Sequence, residues 1–146
     1  MKPFVLGCAA YIVVTFPLAV IWHLVLFKTT YDRLGYFSRE EPIISLGFLA
    51  IAVQGAVLSC VYPFFRWDGS VVKSGLRFGV LLGVYHWSGH VAAAAAKHSI
   101  APLTAWFCIE TIYLALQFGL TGLAIALIHQ WFTPDGDGKR MLTEPM

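Results

Sequence analysis

Charge is what this chain has little of. Ten Lys and Arg and eight Asp and Glu make up 12% of 146 residues, against 58% hydrophobic residues and a mean hydropathy of +0.72. Soluble domains carry about a quarter of their residues as charges, so a soluble globular fold is excluded. A disordered chain is excluded too, because the hydrophobicity is high and the net charge only +2. No basic run occurs anywhere, which removes nucleic acid as a partner. Cysteine is equally sparse. Cys8, Cys60 and Cys108 show no C-x-x-C spacing, so neither a redox pair nor a thiolate zinc site is indicated, and they read as small apolar packing residues. There is no Ser–His–Asp pattern, no pair of catalytic carboxylates, no H-E-x-x-H and no phosphate-binding glycine loop, so the chain reads as non-enzymatic. Asp135-Gly136-Asp137-Gly138 is a fragment of a calcium loop without its remaining ligands or terminal Glu, and reads as a solvated turn.

What the chain does have is long uncharged stretches: 3–27, 42–65, 78–96 and, on either side of Glu110, 98–109 and 111–134. Crossing a hydrocarbon layer of roughly 30 Å takes about 20 helical residues. Four segments reach that length, at about 4–27, 43–65, 72–96 and 103–131. Strands of a barrel would be shorter and would alternate in polarity, which Ile12-Val13-Val14 and the run Ala92–Ala96 do not. The expected fold is therefore an all-α integral membrane protein, a single domain forming an antiparallel four-transmembrane-helix bundle, with its third helix central. Residues 28–42 form an outer loop and 132–146 a cytoplasmic tail.

Val5-Leu6-Gly7-Cys8 resembles a lipoprotein cleavage box, but too little apolar chain precedes it for a signal peptidase, so the first segment is read as a span. Lys2, Arg66, Lys73, Arg77, Lys139 and Arg140 lie on the side of the termini, against Lys28, Arg33, Arg39 and Lys97 on the other. That balance places both termini in the cytoplasm. Trp67 and Trp131 on the inner side, and Trp22 and Trp106 on the outer, are expected in interfacial belts. The outer loop mixes charges with Tyr31, Tyr36 and Phe37 and reads first as a connector. Glu40-Glu41-Pro42 suits a helix start just after it.

The third segment carries the most information. Gly75, Gly79 and Gly83 recur every four residues, stacking on one face and letting a neighbouring backbone approach. At 100° per residue His86 and His90 fall on the same stripe, so both point at protein. Their i, i+4 spacing is one that can chelate a metal ion. Counting from segment centres puts His23, His90 and Glu110 at one depth on three helices, with His86 a turn deeper; Gln54 and Gln117 lie near the middle. A carboxylate at that depth costs several kcal/mol unless paired, so Glu110 should meet His23 or His90.

Three readings of this cluster stand side by side. It is a structural Glu–His network. Or His23, His86, His90 and Glu110 bind a transition metal, or a histidine pair ligates haem. Or the groups relay protons for coupled transport of a small solute.

Ile21-Trp22-His23-Leu24-Val25-Leu26-Phe27-Lys28, a tyrosine in the loop that follows, Glu41-Pro42-Ile43-Ile44 and Gln54-Gly55 together resemble small four-span bacterial membrane proteins known only as domains of unknown function. The resemblance covers about 4–131. It implies the four-helix topology and a bacterial inner membrane and carries over no catalytic residue; the His86/His90 pair is not part of the pattern. The reading is a small integral membrane protein in contact with the lipid bilayer that self-associates as a homo-oligomer or serves as an accessory subunit of a larger membrane complex.

Overall fold

The computed structural model describes residues 1–37, 39, 41–65 and 69–132. Every regular element among them is helical. The chain opens with α1 (Lys2–Ala19), which continues as a π-helical stretch over Val20–Leu26. Pro3 sits in the first turn, where its missing N–H costs nothing. Pro17 lies inside the helix, where it removes a hydrogen bond and crowds the preceding turn. The wider winding begins three residues later and closes with the Phe27 N–H on the Trp22 carbonyl at 3.0 Å.

A short helix, α2 (Lys28–Leu34), follows and stops at Gly35, whose φ of 74° is left-handed. The Tyr36 N–H then reaches the Tyr31 carbonyl at 3.3 Å and the Gly35 N–H that of Asp32 at 3.2 Å, the paired bonds of a glycine-terminated helix. The 28–42 segment is thus not a plain connector: Tyr31 and Leu34 are buried in the bundle. The next helix, α3 (Ile44–Val61), starts two residues after Pro42 without a side-chain cap or an acid in its first turn, and ends in a 3-10 turn at Tyr62–Phe64. Glu40, expected at that start, lies outside the described residues, as do Trp67, Arg66, Lys139, Arg140, the 133–146 tail and its Asp-Gly repeat.

The fourth helix, α4 (Val71–Trp87), is capped by Ser70, whose hydroxyl accepts from the Lys73 N–H at 3.3 Å. It passes through a π turn at Ser88–Ala92 into α5 (Ala93–Lys97). The last helix, α6 (Leu103–Phe132), runs 30 residues, about 45 Å.

Lys2–Leu26, Ile44–Phe64 and Leu103–Phe132 are long and apolar enough to cross a membrane. Val71–Lys97 is not among them, because Tyr85, His86, Trp87, Ser88 and His90 interrupt its apolar run.

The packing follows one order. Helix α3 lies on α1, α1 on α6, and α6 on α4. That order places α1 and α6 inside, and of the two α6 is the more buried, so the central helix is α6 and not the third segment as the glycine stripe suggested. The reason is a buried face that runs almost the whole length of α6, from Trp106 through Glu110, Gln117 and Phe118 to His129. The stripe on α4 does have the expected use. A Cβ on Gly75 would stand 2.9 Å from the Gly122 carbonyl oxygen, and one on Gly79 would collide with that of Phe118. Only glycine lets the two backbones meet there.

Two apolar clusters result. The larger, at the α2 end, gathers Tyr31, Leu34, Val91, Ile100, Trp106, Tyr113, Leu114 and Phe118. The smaller, at the opposite end, joins Tyr11, Phe78 and Ile125. Trp106 is fully buried, its indole donating to the Val91 carbonyl at 3.0 Å, so it does not belong to an interfacial belt. Trp131 is 86% exposed. Cys60 and Cys108 are exposed as well, which corrects their reading as packing residues; the half-buried Cys8 points its thiol at the Ala52 carbonyl.

Candidate functional site

The side chain of Glu110 has no solvent exposure. It projects from the buried face of α6 into the α2-end cluster, where three elements converge on its two oxygens. His23 Nε2, from the π stretch after α1, stands 3.4 Å from Oε1. His90 Nε2, from the π turn after α4, stands 3.2 Å from Oε2. Tyr31, from α2, donates its hydroxyl hydrogen to Oε1. The counting of depth along separate helices placed His23, His90 and Glu110 level, and here they touch.

Both histidines owe their aim to local backbone. A π turn adds a residue to the helical circuit and swings the next side chains around the axis, a feature often found at functional positions. Each of the two π turns among the described residues holds one of the histidines that meet Glu110. Aromatic rings fix them further: His23 stacks on Tyr31 at 4.8 Å and meets the edge of Tyr113 at 4.5 Å.

The hydrogen-bond inventory decides where protons lie. The Trp22 indole can only donate, and it donates to the Tyr31 hydroxyl oxygen at 3.2 Å. The Tyr31 hydrogen is thereby directed at Glu110. His23 Nδ1 is 3.0 Å from the Ala19 carbonyl oxygen, an acceptor, so Nδ1 carries a hydrogen. A neutral ring would then turn its Nε2 lone pair on the carboxylate. The contact is favourable only with a proton between them, as imidazolium and carboxylate or as imidazole and carboxylic acid.

Outside the spans, burial and the charge of Glu110 push both Tyr31 and Tyr36 up, Tyr36 to about 12. Both stay hydroxyl donors across the physiological range.

The remaining expected residues divide. His86 does not reach the carboxylate: its ring packs on His90 at 5.4 Å and Phe118 at 5.3 Å. The set His23, His86, His90 and Glu110 is therefore not assembled around a point. Among the described residues no group of three or more His, Cys, Asp or Glu is arranged to hold a metal ion. Nor are His23 and His90 presented to a haem, since both Nε2 atoms face one carboxylate. Gln117 and Gln54 form a second polar link near the middle of the bundle. Gln117 donates to the Tyr11 hydroxyl at 2.8 Å, and Tyr11 donates to Gln54 Oε1 at 2.8 Å, tying α6, α1 and α3.

Sequence reasoning missed Tyr31 and Tyr11, the two phenols that complete these links. The signal for Tyr31 was its place in a helix-length run ending at Gly35; for Tyr11 it was only its polarity within an apolar span.

Comparison with protein-family models, curated proteins and solved structures returns no match.

Proposed function

We propose that the chain is a non-enzymatic integral membrane protein of four antiparallel transmembrane helices that acts by associating with itself or with a larger complex in a bacterial inner membrane, with both termini cytoplasmic. The observation that carries this reading is the enclosure of Glu110. A carboxylate with no exposure, engaged on both oxygens from three other elements, is a lock on helix depth and register, and it presents no open face to a substrate.

The fourth crossing is supported by packing. Val71–Trp87 lies along α6, and a helix packed lengthwise on a spanning helix shares its layer. Its polar middle is tolerable there because His90 meets Glu110 and the Trp87 indole donates to the Thr111 hydroxyl at 3.0 Å.

Association is supported by α3. Every described residue from Glu41 to Ala50 is exposed, and a Cβ at Gly47 would meet nothing within 4 Å. Leu46, Leu49, Val53 and Val57 continue the apolar face. Such a flank suits either acyl chains or another helix.

Disulfide trapping in native membranes tests the reading. With Cys8 and Cys108 replaced by Ser, Cys60 alone, or Cys introduced at Val53 or Val57 in its place, should give a dimer or an adduct with a partner subunit. Monomer at all three positions, with nothing co-purifying, overturns association. In liposomes holding a pH-sensitive dye, the wild type and Glu110→Gln should show equal background proton flux. A flux that the substitution abolishes would replace this reading with that of a proton-coupled carrier.

A further inference from the structure

Between α4 and α6 runs a groove of about 440 Å³, within the size range of small-molecule sites, about 300–1,000 Å³. Its walls are apolar, and Gly83 and Gly119 form part of them. A Cβ on Gly119 would meet nothing within 4 Å, so that position borders open space and not a packed neighbour. The two helices touch at Gly75, Gly79 and Gly122 and then leave room between them. At the far end the groove is bounded by Trp87 and Thr111, joined by their 3.0 Å hydrogen bond.

Three features identify an occupant. The wall from Leu76 to Trp87 covers about 17 Å of helix, one leaflet's share of a hydrocarbon layer of roughly 30 Å. A second transmembrane helix would need a surface twice as long and would have to pass the Trp87–Thr111 pair. The end near Leu76 is cationic: at 100° per residue Lys73 falls between Val80 and Val84 in azimuth, so it prolongs the groove wall by one turn, with Arg77 on its flank. Both are exposed, and a lysine stem can lie along apolar surface with its ammonium at headgroup level.

We propose that this groove binds one acyl chain of an anionic phospholipid, with its phosphate against Lys73 and its tail ending at Trp87. The inference rests on α4 crossing the membrane and is separate from the association through α3.

Native mass spectrometry of the full chain, given phosphatidylglycerol and phosphatidylcholine in equal amounts, tests it. The wild type should retain one phosphatidylglycerol in preference to phosphatidylcholine. Lys73→Ala should cut that preference about fivefold, the worth of one cation near an anionic lipid surface. Gly119→Leu should fill the groove and remove the retained lipid of either kind. Its melting temperature should not fall, because the new side chain enters open space and glycine is a poor helix former. Equal retention of both lipids by the wild type, or undiminished lipid on a folded Gly119→Leu, overturns the proposal. So does a Gly119→Leu variant that keeps its lipid but changes oligomeric size, which would make the groove a seat for a second copy. If Gly119→Leu fails to fold, Ala115→Phe fills the same groove from an exposed position of α6 and is judged by the same outcomes.

Discussion

Tyr31, in the short helix outside the spans, gives its hydroxyl hydrogen to Glu110, 79 residues later in the central helix. That single bond ties the α2 loop to the buried carboxylate of α6. It also makes the loop part of the site, because Trp22 donates to the same phenol oxygen.

Tyr31→Phe should destabilise the protein by about 1–3 kcal/mol, since Glu110 loses a donor and the Trp22 indole loses its acceptor in a buried place. Denaturant unfolding in detergent measures this. A variant as stable as the wild type would show that α2 docks through apolar contact alone.

Glu110→Ala should be more costly, about 3–5 kcal/mol, because it removes at once the buried partner of His23, His90 and Tyr31. Glu110→Gln should fall between wild type and Ala, as an amide keeps hydrogen-bonding capacity without the charge. Melting curves of the three proteins check the order. A Gln variant worse than Ala would mean that the network depends on the charge and not on hydrogen bonding.

Gly79→Leu should separate α4 from α6 and abolish the folded state, because the added atoms enter the space of the Phe118 carbonyl. Gly47→Leu, facing nothing, should leave melting unchanged. Size-exclusion profiles of the two variants provide the contrast, and a well-folded Gly79→Leu would contradict the close crossing.

Tyr36 provides a pH dependence. Its ionisation is raised by burial and by the charge of Glu110 to about 12, above the roughly 10 of an unfolded tyrosine. The unfolded chain therefore loses this proton first, and stability that is fully present below about pH 10 is lost as pH rises through about 12. Tyr36→Phe should flatten that part of the stability profile. An unchanged profile would show that other groups control alkaline unfolding.

Much of this architecture is legible without coordinates. The segments expected at 43–65 and 103–131 appear as Ile44–Phe64 and Leu103–Phe132, because a run of that length with at most one charge favours a helix, which satisfies its own backbone hydrogen bonds. The depth of a polar residue can be counted along its own helix at a fixed rise per residue, which is why His23, His90 and Glu110 could be grouped across three segments. The glycine spacing on α4 likewise announced a close crossing.

Local sequence could not say which helix is central, since nearly every face of α6 is apolar and burial is decided by which neighbours it meets. It could not place Tyr31 on Glu110, because contact across 79 residues depends on how the loop folds back. The π turns also escaped it. An added residue in the helical circuit changes which side chain faces inward, and the first of the two stretches begins three residues after Pro17. His86 shows the consequence: it shares a sequence stripe with His90, yet the winding between them sends one ring to Phe118 and the other to Glu110. Hydrophobic length and helical rise are properties of the chain by itself. Which polar groups meet inside the bundle is a property of helices in contact, and only the tertiary structure decides it.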